Sequence, residues 1–442
     1  MKKSLSVIIA LLLVFSLVAC SGGKDNDTKA TPAPTEDMTT LDATISVQVE
    51  TDWLPHYEAA KARVLAKYPN ATINWIESPS FDHLDVLDAT DVTNVDVADV
   101  FAIPADRLYP LAQNEALAAI DAKSMAANIG GWSDFDAGLG GNFNVNGDYL
   151  AFPMNIETLI LFANTANAAA KGVDLTGTVE FNDLKFEEML VPAFNAWFGV
   201  ALLNAGNVEL LGMEDDGTLW SDMTKDWTEL SSDQQAVLTA IYNYWKGHDE
   251  ALTDGWDTGA AWGYMDTSFS SGGNTVLRLE GPWSTGGLSA MANDGADLAI
   301  LPINQVTIAG LPLAHWQGGW GLAVNARVEG VDDQMMLAQA FIEEVVNPDY
   351  AVDFFEAAGK ILENVPGSVY AASSLSDSDK TVISAVIESY EGAPARPLFT
   401  EWGQVWDTWQ NALTSWSSEK PTTVEKAYDE IKASFEAMMG NF

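Results

Sequence analysis

The polarity pattern of the chain changes character twice before a regular rhythm sets in. From Leu5 to Ala19 it is almost wholly apolar, behind Lys2 and Lys3, and it ends in Leu17-Val-Ala-Cys20. Fifteen residues are fewer than the roughly 20 that a permanent spanning helix needs, and the basic start and small-residue end are those of an export signal. From Cys20 to about Thr40 no apolar period exists among Ser, Gly, Lys, Asp, Thr, Ala and Pro, which is the composition of a flexible tether. The rhythm then begins. Ile45, Val47 and Val49 alternate as a strand; Pro55 opens a helix whose Tyr57, Lys61, Val64, Leu65 and Tyr68 share one face; Pro69 ends it. Ala71, Ile73 and Trp75 form a second alternating strand, completing the strand-helix-strand unit of a parallel sheet. A third strand is predicted from Val97 to Ile103, feeding a helix that starts near Asp106. Amphipathic helices are predicted around Leu337, Ala340, Phe341 and Val345, and around Val424, Ala427, Ile431, Phe435 and Met438.

Cysteine content fixes the meaning of the first stretch. Cys20 is the only cysteine in the chain and sits where a bacterial lipoprotein signal places its lipid attachment point, so the sequence predicts a signal peptide over 1–19 and a lipidated Cys20. Lipidation would leave no thiol for nucleophilic or disulfide chemistry. No second long apolar run follows, so the body is expected to touch the membrane only through the anchor, on the outer face of the cytoplasmic membrane or in the envelope of a two-membrane cell.

Removing 1–19 leaves 19 basic against 63 acidic residues, a net charge of −44. That charge repels nucleic acid and anionic lipid surfaces. The acids are scattered through every segment, as in a heavily hydrated surface suited to a salty or exposed habitat. With 48% hydrophobic residues and sixteen Trp the chain is nonetheless a folding one.

Catalytic and metal motifs are sparse. His56, His83, His248 and His315 are widely spaced with no His-Glu-x-x-His pattern, and neither a Gly-x-Ser-x-Gly elbow nor a phosphate-binding Gly-rich loop occurs. Asn142 to Gly147 resembles the start of a calcium loop, but Pro153 stands where the bidentate Glu belongs, so Asn146-Gly147 reads as a hairpin turn. Asp82, Asp85, Asp88, Asp91, Asp96 and Asp99 read as a solvated stretch. Glycoside hydrolysis, which needs only two carboxylates at the right separation, stays open.

Four segments in order resemble the extracellular solute-binding proteins of ATP-driven sugar importers, most closely the maltose/maltodextrin-binding group. They are Asp96-Val-Ala-Asp-Val-Phe-Ala-Ile-Pro-Ala-Asp-Arg107; Asn146 to Leu159 with Asn164; Glu280-Gly-Pro-Trp283 with Ala299-Ile-Leu-Pro302; and Gly318-Gly-Trp-Gly-Leu-Ala-Val-Asn325. The resemblance implies an α/β fold of two discontinuous lobes joined by hinge strands, with 41–155 and 300–360 in lobe 1, and 156–299 and 361–442 in lobe 2. It also implies a monomeric, non-enzymatic receptor without cofactor or metal, whose partners are an oligosaccharide and membrane permease subunits.

A sugar presents hydroxyls that pair with carboxylates and Arg, and C–H faces that pair with flat rings. Carried over position by position, the resemblance assigns ligand contacts to Asp52, to Trp53 where a Lys often stands, to the pair Asp106 and Arg107, to the inter-lobe Glu157, and to Trp283 and Trp406. Phe194, Trp316 and Trp320 join the candidates. Ile103 stands where malto-oligosaccharide binders have a Trp, Pro192 and Phe194 stand where Glu and Tyr are expected, and Asp407 and Gln410 replace a Tyr and an Arg. A non-maltose oligosaccharide, another solute, or a surface glycosidase or polysaccharide-holding protein therefore remain alternatives. Asp52 and Asp106 also have the chemistry of helix caps, Arg107 that of a surface ion pair, and the tryptophans that of core residues.

Overall fold

A computed structural model describes residues 41–214 and 216–442. The signal 1–19, the tether and Cys20 lie outside them. The opening unit forms as the pattern predicts. Strand Thr44–Val49 pairs in parallel with Thr72–Glu77 across helix Leu54–Lys67, which carries Pro55 in its first turn and buries Tyr57, Ala60 and Val64. Both C-terminal helices are present, as Asp332–Val345 and Val424–Met439. The expected hairpin is there too: Asn144–Val145 pairs with Asp148–Tyr149, with Asn146 and Gly147 at φ of 57° and 104°. Those left-handed values suit Asn-Gly, and the Asn144 side chain accepts the Gly147 N–H at 3.0 Å.

Two sheets organise the body. The first has five strands in the order Thr72–Glu77, Thr44–Val49, Val100–Pro104, Gly318–Val324 and Ala151–Glu157, the last two entering antiparallel. Val100–Pro104 and Gly318–Val324 are buried along their whole length, as strands covered on both faces must be. The Gly-Gly-Trp-Gly run has a packing cause. A Cβ on Gly319 would stand 2.4 Å from Leu139, and one on Gly321 would stand 2.6 Å from Phe143. Beside it, the register against Ala151–Glu157 slips between Trp320 and Gly321, leaving Met154 as an extra residue on an edge strand that tolerates Pro153. The second sheet runs Leu298–Leu301, Ile160–Asn164, Leu277–Glu280 and Met189–Leu190.

The chain passes from the first sheet to the second through only Thr158 and Leu159, both fully buried. It returns between Leu301 and Gly318. Helix Asp377–Glu391 packs against strands of both sheets.

The expected lobe boundaries shift accordingly. All of Ala151–Glu157 stays in the first sheet. Residues 300–317, expected in lobe 1, belong with the second sheet, because Leu298–Leu301 pairs with Ile160–Asn164 and Val306–Ile308 pairs with Val179–Glu180. Residues 361–375, expected in lobe 2, stay with the first, where Ile361, Leu362, Tyr370 and Leu375 join its core. Asp99 also departs from its solvated neighbours: it is buried and holds Arg327 at 2.7 Å.

Candidate functional site

Between the sheets lies a cavity of about 470 Å³. From the first sheet come Asp106, in the turn after Val100–Pro104, and Trp320, in Gly318–Val324; Glu157 ends the strand that crosses over. The Trp320 indole N–H lies 3.2 Å from each Glu157 carboxylate oxygen. Removal from water pushes the Glu157 carboxyl above its ordinary range, while the positive charges of Lys360 and Arg396 and the indole hydrogen bond oppose that rise. Lys360 is pushed down by the same desolvation, with Glu157 and Glu50 holding it up. Its ammonium lies 4.9 Å from the Trp53 ring centroid and 5.5 Å from that of Trp320.

The facing wall is aromatic. Trp197, Trp283 and Trp406 line it, with Arg396 among them. The Arg396 guanidinium lies 4.9, 5.5 and 5.9 Å from the ring centroids of Trp197, Trp316 and Trp406 and pairs with Asp106 at 2.9 Å. Asp106 Oδ1 is buried and has no partner among the described residues. Trp283 follows Gly281 because its ring folds back over that residue: a Cβ there would sit 2.2 Å from the ring. The result is an exposed ring, 55% accessible, next to two acids and an arginine. That arrangement can satisfy hydroxyl groups and cover an apolar face at once.

Five of the expected contact residues, Asp106, Glu157, Trp283, Trp320 and Trp406, thus share one cavity. The others do not line it. Arg107 turns outward to pair with Asp88, so the Asp106-Arg107 pair is split. Asp52 is exposed and caps nothing, and the turn at Asp106 likewise has no side-chain cap. Trp53 is buried beneath Lys360, and Trp316 is buried behind Arg396, its ring 5.0 Å from that of Trp402. Phe194 is 2% exposed and packs against Trp256. The ring on that side is supplied three residues later by Trp197, in the first turn of helix Ala196–Leu203 that Asn195 caps.

The sequence reading missed Phe81, Trp197 and Arg396. A usable signal existed for Arg396. The chain has five arginines, and this one stands between Pro394 and Pro397, where neither helix nor strand would claim it. Among the described residues no cluster of His, Cys, Asp and Glu could hold a metal, and no helix is long and apolar enough to cross a membrane.

Two α/β lobes joined by chain crossings, with a cleft between their sheets, define the two-lobe fold of the maltose-binding type of solute-binding protein. No protein-family model matches the chain. Maltodextrin-binding protein MdxE of Bacillus subtilis is 23% identical over 458 residues, covering 98% of this chain and 96% of its own. The maltose-binding protein MalE of Listeria monocytogenes, solved with maltose, superposes with a TM-score of 0.68 at 18% identity, over 91% of this chain and 99% of its own. MalX of Streptococcus pneumoniae, solved with maltopentaose, gives 0.66 at 18% identity, over 89% and 99%.

Proposed function

We propose that the protein is the lipid-anchored receptor of an ATP-driven importer, capturing an oligosaccharide in the inter-lobe cleft and presenting it to membrane permease subunits. The observation that carries this reading is the pairing of walls: Asp106, Glu157 and Arg396 beside the rings of Trp197, Trp283, Trp320 and Trp406. Charged hydrogen-bond partners contribute about 1.5 to 3 kcal/mol each, so a few of them with one or two stacked rings suffice for tight capture. The names of the similar proteins support a maltodextrin-like ligand, and their being binding proteins supports a role without catalysis. Cys20 would anchor the body outside the cytoplasmic membrane, and the tether 20–40 would give it reach. A hinge motion of the two lobes would bring the walls together on the ligand. Titration of the mature protein with a panel of saccharides, read by Trp fluorescence and thermal stabilisation, tests the proposal: saturable binding of at least one oligosaccharide is expected. If no saccharide gives a saturable change, the sugar reading fails.

A further inference from the structure

Helix Ala351–Ala358 ends at Gly359, whose φ of 64° is the left-handed conformation that glycine adopts without strain. The reversal sends Lys360-Ile361-Leu362 back along the strand that ends in Glu157. Leu362 bridges Asn155 in antiparallel register, and the Ile156 N–H donates to the Ile361 carbonyl at 3.0 Å. Continued by two residues, that register sets Lys360 opposite Glu157. A cation facing a carboxylate in this way is a stabilising cross-strand pair.

The other neighbours of the ammonium are ring faces. Its Nζ lies 4.9 Å from the centroid of Trp53 and 5.5 Å from that of Trp320, both buried indoles that attract a cation through their faces. Trp320 in turn donates to both Glu157 oxygens at 3.2 Å. On Lys360, burial acts first, and the charges that oppose it are those of Glu157 and Glu50. Glu50 is already engaged, accepting from the Ser80 N–H and hydroxyl at 3.1 and 2.6 Å. On Glu157, burial also acts first; Lys360, then Arg396 and the Trp320 hydrogen bond, stand against it, and Asp106 adds to it. Arg396 is committed to Asp106 at 2.9 Å, which leaves Lys360 as the positive charge that belongs to Glu157. Glu157 lines the cavity and Lys360 does not.

We propose that Lys360 is a positioning residue for ligand capture: from outside the cavity lining it keeps Glu157 charged and held in place as an acceptor for the ligand's hydroxyl groups. The inference rests on the saccharide-capture reading. A charged carboxylate only accepts, whereas a protonated one offers a donor and loses acceptor capacity. Through Glu157, Lys360 therefore selects a ligand that presents hydroxyl donors at that point, and it ties capture to pH.

The test begins without sugar. The Trp320 indole N–H reports on the carboxylate it meets, so its NMR signal in the mature full-length protein is followed as pH falls, with Glu157→Gln as the control that removes the titration. Lys360→Met should move the midpoint up by about one pH unit or more, and Lys360→Arg should keep it. The same variants are then titrated with the saccharide panel over the same pH range. Affinity carried by the carboxylate holds above the midpoint and falls as pH drops through it. In Lys360→Met the fall should begin about one pH unit or more higher, with affinity above both midpoints changed less than about threefold. Thermal midpoints show whether each variant folds, and Lys360→Gln replaces Lys360→Met if that one does not. A Trp320 midpoint unmoved by loss of the lysine, or an affinity loss in the folded variant that is equal at every pH, overturns the positioning role and leaves sugar capture standing. No saturable binding by any saccharide at any pH overturns sugar capture and the positioning role with it.

Discussion

One wall of the cleft is made of strands and strand ends, the other of loops and helix starts. Glu157 and Trp320 lie on strands of the first sheet and Asp106 in the turn that directly follows one, so the ladder fixes or closely tethers their backbones. Trp197, Trp283, Trp406 and Arg396 have no such ladder and are positioned by side chains: Asn195 capping one helix, Gly281 vacated for one ring, and three indoles around one guanidinium. The first wall is specified mainly by backbone and the second mainly by packing. Both acids sit on the stiffer side with one ring, and the other three indoles sit with Arg396 on the side held by packing.

The largest expected effect strikes both walls through their buried histidines. In the first lobe His83 accepts the Ala98 N–H at 2.9 Å and is pushed down to about 4, by burial first and then by Arg327. Behind the second wall, desolvation pushes His315 down to about 3, and its Nε2 donates to the Trp197 carbonyl at 2.8 Å. Both are neutral when folded, whereas the unfolded chain binds their protons below about pH 6.5. Stability from this source is complete above pH 6.5 and is lost as pH falls toward 4. The two together should contribute a loss of about 4 kcal/mol between pH 7 and pH 5, to which His248, pushed down to about 4 by burial, adds and which Glu209, pushed up to about 7 by burial, partly offsets. Imidazole NMR signals of His83 and His315 that titrate near pH 6.5 in the folded protein would mean that neither is held neutral.

Arg396→Ala should follow, lowering affinity for whichever saccharide binds by about a hundredfold, since it strands Asp106 and empties the space between three rings. Calorimetric titration measures it; a loss under about threefold would show that the second wall works by stacking alone. Gly281→Ala tests the reverse assignment. Displacing the Trp283 ring is expected to weaken binding about tenfold with little change in thermal midpoint. Smallest of all, Arg107→Ala should change affinity less than threefold, because its pair with Asp88 is a surface one worth about 0 to 1 kcal/mol. Equal losses for Arg107→Ala and Arg396→Ala would break the contrast drawn between the two arginines.

The two walls also differ in how readable they were. Strand alternation and the Gly-Gly-Trp-Gly run expose the first sheet, and Glu157 stood out as a carboxylate in an apolar strand. The resemblance assigned Asp106 and Arg107 together, and the structure places Asp106 on the cavity and turns Arg107 away from it toward Asp88. Adjacent residues in a tight turn point apart, and only one can face the cleft. On the second wall, the spacing of Phe194 suggested a ring that the fold places in the core, while Trp197 was passed over. A shift of three residues is invisible without knowing where helix Ala196–Leu203 begins.

The sequence by itself determined the strand-helix-strand opening and the two C-terminal helices, because alternation, proline punctuation and helical periodicity are local properties that short segments carry alone, while the two-lobe class and the cleft acids came from the resemblance of four segments. Only the tertiary structure decided which arginine meets Asp106, which tryptophans are walls and which are core, and that a second groove opens beside the first. Arg396 reaches Asp106 across a separation of hundreds of residues, and Trp262 comes to share a groove with Trp283 only through the packing of the second sheet. Those partnerships depend on how the lobes pack, which no local period encodes.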